Sequence, residues 1–484
     1  MKTLFLAFLL CGFVYSIDWD VETALDKFVK ADDGAFEWAS IREEKYENFT
    51  HHVLNMTSQY WKNDSWSDAR VWYHFLHVLV PNEIEFSESS ILWIEGGRRG
   101  RDPPTVDDNV FLGVLSDICQ DIKGIVAMLQ MIPYQPIVYG NDPEQKRRSE
   151  DDSIAYTWRQ YIENPADPEI LLQFPSTKAA VKALDAIQEF TKQVRPETNI
   201  DKFLVSGGSK RGWISWLLGC VDKRVNAMAP VVLTAVNFQE NLRRHWRALG
   251  GWSFALKDYY NQNITKDLNS PVVTEMMKHI DPFSYKERLT MPKVIVAACG
   301  DEFFRPDDSH VFFNELPEPK YMLLLANAQH TLVGSYHRVI STLEALFIGV
   351  NTPGYQLPKL SWERGSLPNG GYIRLTSNDN PYEVNAVSAE TGERSKRDFR
   401  LVTGIPPYVN PVLWEWEDAN NTAPGVWEAK YNEEDDVYVG MIMEAYFRGP
   451  KEDTHFEFTT EIQVLPDTFP FEDCVGDGCR GELV

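Results

Sequence analysis

Positive charge is what this sequence has least of. Lys and Arg number 47 against 71 Asp and Glu in 484 residues, a formal net charge of −24. Such a polyanion repels phosphate backbones and anionic lipid, which argues against nucleic acid and acidic membrane surfaces as partners. Cysteine is also scarce, six in all, with no Cys-x-x-Cys, so a hydrophobic core and not a disulfide framework must hold the fold. Long apolar runs are missing: only Leu4 to Tyr15 is nearly free of polar residues, short of the ~20 a membrane span needs. No internal repeat or low-complexity tract occurs. A hydrophobic share of 43% and an aromatic share of 13% exclude disorder for most of the chain.

What is present begins with a compartment signal. Lys2 precedes the apolar run, and Val14 and Ser16 are small enough for the −3 and −1 positions of a cleavage site before Ile17. Residues 1–16 therefore read as a secretory signal peptide, and the mature protein is expected outside the cell. Sequons at Asn48, Asn55, Asn63, Asn263 and Asn420 predict glycosylated, exposed loops, while Asn269-Ser-Pro is blocked by its proline. Cys11 leaves with the signal. Cys474 and Cys479, flanking Val-Gly-Asp-Gly, are expected to pair; Cys220 and Cys299 read as buried thiols, and the remaining count is odd.

Between about residues 70 and 350, continuous Val/Ile/Leu runs alternate with helical periodicity. Arg70 to Val80, Ser90 to Ile94, Gly124 to Ile132, Phe203 to Val205, Met228 to Leu233, Val294 to Ala298 and Tyr321 to Leu325 read as strands. Lys178 to Val194 and Glu150 to Tyr161 read as helices. Buried strands alternating with helices predict a mostly parallel α/β sheet covered on both faces. Beyond Pro353, short alternating runs separated by Pro368-Asn369-Gly370-Gly371 and Asn380-Pro381 predict an all-β, sandwich-like module. The expected divisions are a signal peptide (1–16), an α/β domain (17–350) with an insert at about 234–290, a β-rich domain (351–465) and an acidic tail (466–484).

The chemistry concentrates where Phe203-Leu-Val-Ser-Gly-Gly-Ser-Lys-Arg-Gly-Trp213 runs from strand to helix. A nucleophile elbow needs a serine on such a turn, a glycine two residues before it, and a helix N-terminus to stabilise an oxyanion. Arg211 stands where the second glycine of G-x-S-x-G usually sits; the alternative reading is a plain glycine-rich turn. Asp301 follows the strand ending in Cys299-Gly300, and His330 follows the strand from Tyr321. Ser209, Asp301 and His330 thus occur in the order and at the strand ends that a hydrolase triad requires. Glu302 and Asp307 are the fallback acids.

Gly96-Gly97-Arg98 after an earlier strand is either a second oxyanion loop, with Gly97 and Arg98 as donors, or a tight turn. Lys210 either adds charge to that hole or forms a salt bridge at its helix start. In the insert, Arg244, His245 and Trp252 are candidates for substrate contact, or else its aromatics simply pack. His74 and His77, three apart on a strand, face opposite sides and do not make a metal pair. His51, His52 and His455 are expected in solvent. The acidic runs Asp307-Asp308 and Glu150-Asp151-Asp152 read as solvated faces or helix N-terminal charges; no metal and no cofactor is expected.

The stretches Met131-Ile-Pro-Tyr-Gln-Pro136, Glu150 to Trp158, Lys178 to Asp185, Gly208 to Trp213, Val221 to Val225, Asp281 to Tyr285, Gly300 to Asp307, Arg397 to Arg400 and Phe458 to Thr460 resemble the PhoPQ-activated pathogenicity-related protein family. The resemblance spans about residues 30–465. It implies an α/β-hydrolase domain followed by a β-rich one, and it carries Ser209, Asp301 and His330 onto the triad positions. The elbow also resembles, locally, that of glucuronoyl esterases, in which the basic residue after serine assists the oxyanion hole. Because the family includes secreted growth-repressing signals, two functions are expected: a serine hydrolase acting on a small-molecule or peptide ester or amide, or a signal that binds a cell-surface receptor on a hydrolase scaffold. A carbohydrate-binding role for the β module rests on architecture alone. Oligomeric state is not legible.

Overall fold

The computed structural model describes residues 17–484. The expected signal peptide, residues 1–16, lies outside the described residues. The first half supplies β1 (Glu37–Lys45), β2 (Phe49–Tyr60), β3 (Val71–Pro81), β4 (Ser89–Ile94), β5 (Ile125–Leu129), β6 (Lys202–Gly208), β7 (Val225–Val231), β8 (Lys293–Ala298) and β9 (Lys320–Leu325). These strands lie in the order β1-β2-β3-β5-β4-β6-β7-β8-β9. From β5 to β9 every neighbouring pair is parallel, and β1, β2 and β3 add an antiparallel edge.

The helices are α1 (Ala24–Lys30), α2 (Val110–Ile122), α3 (Glu150–Glu163), α4 (Gln173–Val194), α5 (Lys210–Val221), α6 (Phe238–Leu249), α7 (Lys257–Asn261), α8 (Ile264–Asp267), α9 (Pro271–Ile280) and α10 (Tyr336–Asn351). Strand β5 shows how the sheet organises the core. Ile125, Ala127 and Leu129 point into one apolar cluster with Leu184 and Ile187 of α4 and Trp216 and Leu217 of α5. Val126 and Met128 point into the other, with Ile118 and Ile122 of α2 and Leu346 and Phe347 of α10. A strand buried on both faces has no polar side to alternate, which is why these strands read as continuous apolar runs. This is the α/β-hydrolase arrangement.

The β-rich half comprises β10 (Ser361–Leu367), β11 (Gly370–Thr376), β12 (Glu383–Glu390), β13 (Val402–Thr403), β14 (Tyr408–Val409), β15 (Glu415–Asp418), β16 (Asn420–Ala423), β17 (Val426–Asn432), β18 (Val439–Arg448), β19 (His455–Thr459) and β20 (Gln463–Leu465). It joins the α/β sheet instead of standing beside it. Strand β19 pairs antiparallel with β9, and β18, β12 and β15 continue the same sheet, while β10, β11, β17 and β16 form a second antiparallel sheet.

Three expectations are corrected. His51 and His52 are buried in β2, not in solvent, and His51 Nε2 lies 2.9 Å from His77 Nδ1. The sequon asparagines are all exposed, but Asn55 sits on β2 and Asn420 on β16, not in loops. The acidic segment 466–484 is no free tail: Trp252 N–H donates to the Glu482 carbonyl and Val484 N–H to the Trp252 carbonyl. It straps the insert that α6 to α9 build. Cys474 and Cys479 are bonded within it, and Cys119, Cys220 and Cys299 are buried and unbonded. No helix among the described residues is long and apolar enough to cross a membrane.

Candidate active site

Ser209 lies between the end of β6 and the first turn of α5, at φ 56° and ψ −123°. An L-residue with positive φ away from the usual left-handed well is strained, and the surrounding backbone must hold it. Gly207 makes that possible, because a Cβ there would lie 2.8 Å from the Ile94 carbonyl oxygen and 3.0 Å from the Arg211 backbone. Gly212 is confined likewise, 2.9 Å from the Val231 carbonyl oxygen. These contacts allow strand, turn and helix to pack as tightly as the elbow requires.

Asp301 and His330 arrive on the loops after β8 and β9, at the same carboxyl edge of the sheet. His330 Nε2 is 2.8 Å from Ser209 Oγ, and His330 Nδ1 is 2.8 Å from Asp301 Oδ2. The other Asp301 oxygen accepts the Phe303 and Phe304 N–H groups at 2.7 and 3.2 Å, which fixes the carboxylate plane. Glu302 accepts the His330 backbone N–H at 3.2 Å and does not reach the ring. Burial disfavours the charged imidazole, but the charge and hydrogen bond of Asp301, with Glu302 behind, outweigh it and raise the His330 pKa. Phe303 packs 4.4 Å from the imidazole, centroid to centroid. The sequence-predicted serine, histidine and first-choice acid are therefore brought into one hydrogen-bonded line.

The fallback acid Asp307 belongs elsewhere. It pairs with Arg397 at 2.6 Å, Arg305 at 3.2 Å and Arg244 at 3.5 Å. Burial opposes its charge, but Arg305, Arg397 and Arg244 hold its carboxyl well below the usual range. Arg244 is thereby corrected: it is not on the cavity wall at Ser209 but in this buried ion cluster, with Phe469 of the strap 5.3 Å away. His245 and Trp252 do line the cavity. The His245 ring accepts the Ser253 N–H at 3.1 Å and is kept neutral, first by burial and then by nearby arginines.

Lys210 takes the salt-bridge alternative, its Nζ lying 2.8 Å from Asp151 and 3.4 Å from Glu150. Its backbone N–H, first in α5, has no intrahelical acceptor and so is free to meet an oxyanion. Gly97 and Arg98 are exposed beyond β4 and are not on the cavity wall. The residue that the motif made anomalous, Arg211, organises the neighbouring loops instead. Its Nε donates to the Ile132 carbonyl at 2.6 Å, and its two Nη groups grip Glu150 at 2.7 and 2.8 Å. Burial pushes Glu150 up, but Arg211, then Lys210 and Gln135, bring it down to about 2. The acidic run opening α3 is thus spent on cations: Arg148 takes Asp152 at 2.6 Å. Among the described residues no group of three or more His, Cys, Asp or Glu is placed to hold a metal.

Most of the cavity wall is not legible in the sequence. Trp213, Leu233, Phe238, Asn241, Leu256, Tyr259, Phe303 and Phe304 surround the space beside Ser209, largely from the insert. The signals were the density of aromatics between residues 238 and 260, Tyr259 among them, and the positions of Trp213 and Phe304 in the elbow and acid-loop motifs.

Residues 25–400 match the profile of the PhoPQ-activated pathogenicity-related proteins. Autocrine proliferation repressor protein A of Dictyostelium discoideum is 34% identical over 99% of this chain and 98% of its own length. Among solved structures, acetyl xylan esterase 1 from Thermoanaerobacterium sp. JW/SL YS485 is similar at 12% identity and a TM-score of 0.46, over 67% of this chain and 91% of that one. A glucuronoyl esterase from Solibacter usitatus is similar at 12% identity and a TM-score of 0.39, over 66% and 87%.

Proposed function

Because the chain belongs to the PhoPQ-activated pathogenicity-related protein family and sets a strained serine, an imidazole and a carboxylate in line, we propose that it is a secreted serine hydrolase. It cleaves an ester or peptide bond through an acyl-enzyme. The observation that carries this is the chain of 2.8 Å contacts from Ser209 Oγ through His330 to Asp301. Ser209 Oγ attacks the carbonyl carbon while His330 Nε2 takes its proton; Asp301 holds the ring and stabilises the imidazolium. The oxyanion meets the Lys210 N–H at the start of α5. His330 then protonates the leaving group, and water repeats the sequence to release the acid. The apolar leader and five exposed sequons support secretion as a glycoprotein.

The test is labelling with a fluorophosphonate probe. Labelling of the wild type that vanishes in Ser209→Ala is expected; a folded wild type that stays unlabelled overturns the reading. A second reading is favoured by one observation: the relative named for proliferation repression matches end to end, strap and β-rich half included. On that reading the protein is also an extracellular growth-repressing signal that binds a receptor. Purified wild type and Ser209→Ala added to growing cells separate the two, since a receptor ligand acts equally with or without the serine.

A further inference from the structure

Most of the surface around the space beside Ser209 is hydrocarbon. Trp213 follows the elbow, Phe238, Leu256 and Ile264 come from the insert, and Phe303 and Phe304 from the acid loop. Among the described residues that line it, only Asp151, Lys210 and Asp308 have side chains that are charged at neutral pH in water, apart from His245, which burial keeps neutral. Asp308 is engaged: it accepts the Arg305 Nη2 group at 2.9 Å and the Thr234 hydroxyl at 3.3 Å. Lys210 is therefore the one cation on this wall, and it directly follows the nucleophile in the chain.

The charge of Lys210 is cancelled where it stands. Its Nζ lies 2.8 Å from Asp151 Oδ2, in the first turn of α3, and 3.4 Å from Glu150. The Tyr259 hydroxyl of α7 donates to Asp151 Oδ1 at 3.0 Å, so the insert fixes the carboxylate that the lysine meets. Arg211 holds Glu150 at 2.7 Å. The two cations of the elbow thus face two carboxylates, and no positive charge is left for a ligand. The Lys210 and Asp151 side chains are 15% and 14% exposed, so the pair is within reach of a bound group. An anion seated here would give up its water and find no free cation, with Asp151 and Asp308 on the same wall. A hydrocarbon group gains by the same loss of water.

We propose that the substrate group seated beside Ser209 is uncharged and apolar, and that Asp151 sets this specificity by neutralising Lys210. The proposal rests on Ser209 being the nucleophile. Hydrolysis balances as in any acyl transfer: the bond from carbonyl carbon to leaving group breaks, a bond to Ser209 Oγ forms, and water later takes its place.

The experiment compares kcat/KM for two sets of near-isosteric esters. Ethyl 4-methylpentanoate, ethyl succinamate and monoethyl succinate vary the acyl half from apolar to neutral polar to anionic. Isobutyl acetate and acetoxyacetate vary the leaving half from apolar to anionic. In whichever half occupies the space, the apolar member is expected to exceed the anionic one by roughly tenfold or more. No preference in either set, or a lead for the anion, overturns the proposal. Where the acyl set discriminates, succinamate cleaved as fast as 4-methylpentanoate overturns the apolar part of it. Asp151→Asn keeps the shape and frees the Lys210 charge, so it is expected to raise the anionic-to-apolar ratio about tenfold. Adding Lys210→Met should return the ratio to the wild-type value. A ratio unmoved by Asp151→Asn overturns the role of Asp151, since a structural loss alone slows both esters alike. Where Asp151→Asn fails to fold, Lys210→Met alone leaves Asp151 unpaired by the lysine and is expected to lower the ratio; an unmoved ratio there overturns that role too. A wild type that takes up fluorophosphonate but hydrolyses none of these esters also overturns the proposal. One that neither labels nor hydrolyses any ester removes the nucleophile on which the proposal rests.

Discussion

Asp301 is where a change of one atom has the largest expected effect on the site. Asp301→Asn keeps the size and the Phe303 and Phe304 N–H contacts, yet loses the charge that stabilises an imidazolium and permits the wrong ring tautomer. A fall in kcat of about 10⁴ is expected, with KM nearly unchanged; a change below tenfold would show that His330 needs no partner. The residues that carry this chemistry were legible because each stands immediately beyond a run of apolar letters. His51 and His52 were not, since a histidine reads as polar until its partners are known. Glu44 lies 3.0 Å from His51 Nδ1, and His77 lies on its other nitrogen, so burial costs little.

Among the elements, the loops around the elbow depend on Arg211. Removing its guanidinium frees the Ile132 carbonyl and leaves Glu150 with only Lys210 and the Gln135 amide as partners. Arg211→Met is expected to lower kcat at least tenfold while fluorophosphonate still reaches Ser209 slowly; undiminished turnover would show that the clamp is ornamental. Helix α10 offers a pH test. Burial, then Asp121 and Asp117 of α2, pushes Glu344 up to about 7. A carboxyl held above its unfolded value of 4.5 keeps its proton longer in the native state, so stability falls as pH rises from about 4.5 to 7. Glu344→Gln should therefore raise Tm at pH 8 and leave it nearly unchanged at pH 4.5; equal shifts at both would contradict the assignment. Strands β3 to β9 were legible as apolar runs. Strand β1, with the sequence EWASIREEK, was not, because an edge strand guarded by charge has the composition of a loop.

On the scale of the whole molecule, what reads as two domains and a tail is one connected structure. Thr459 of β19 pairs with Met322 of β9, its hydroxyl accepts the Leu324 N–H at 2.9 Å, and Arg338 of α10 reaches buried Glu444 and Glu457 of the β-rich half. A single calorimetric unfolding transition is expected; two resolved transitions would show that the halves are energetically separate. The change of texture at residue 353 is real in the sequence but marks a change from parallel to antiparallel pairing, with β12, β15, β18 and β19 extending the first sheet and β10, β11, β16 and β17 forming a second. The strap was hidden for a similar reason. Its acidic letters suggest solvent, while Phe469, ringed by Arg244, Arg247, Arg305 and Arg397, and Phe471, packed at Gly250, do the docking.

The central claim is that His330 activates Ser209, and the pH dependence of fluorophosphonate inactivation tests it most directly. Only the neutral imidazole accepts the serine proton, so the rate must climb as pH rises through the His330 pKa. Asp301 raises that pKa, which puts the midpoint above 6.5, and Asp301→Asn must move it down. A rate that is flat from pH 5 to 9, or a midpoint unmoved by Asp301→Asn, would contradict the account.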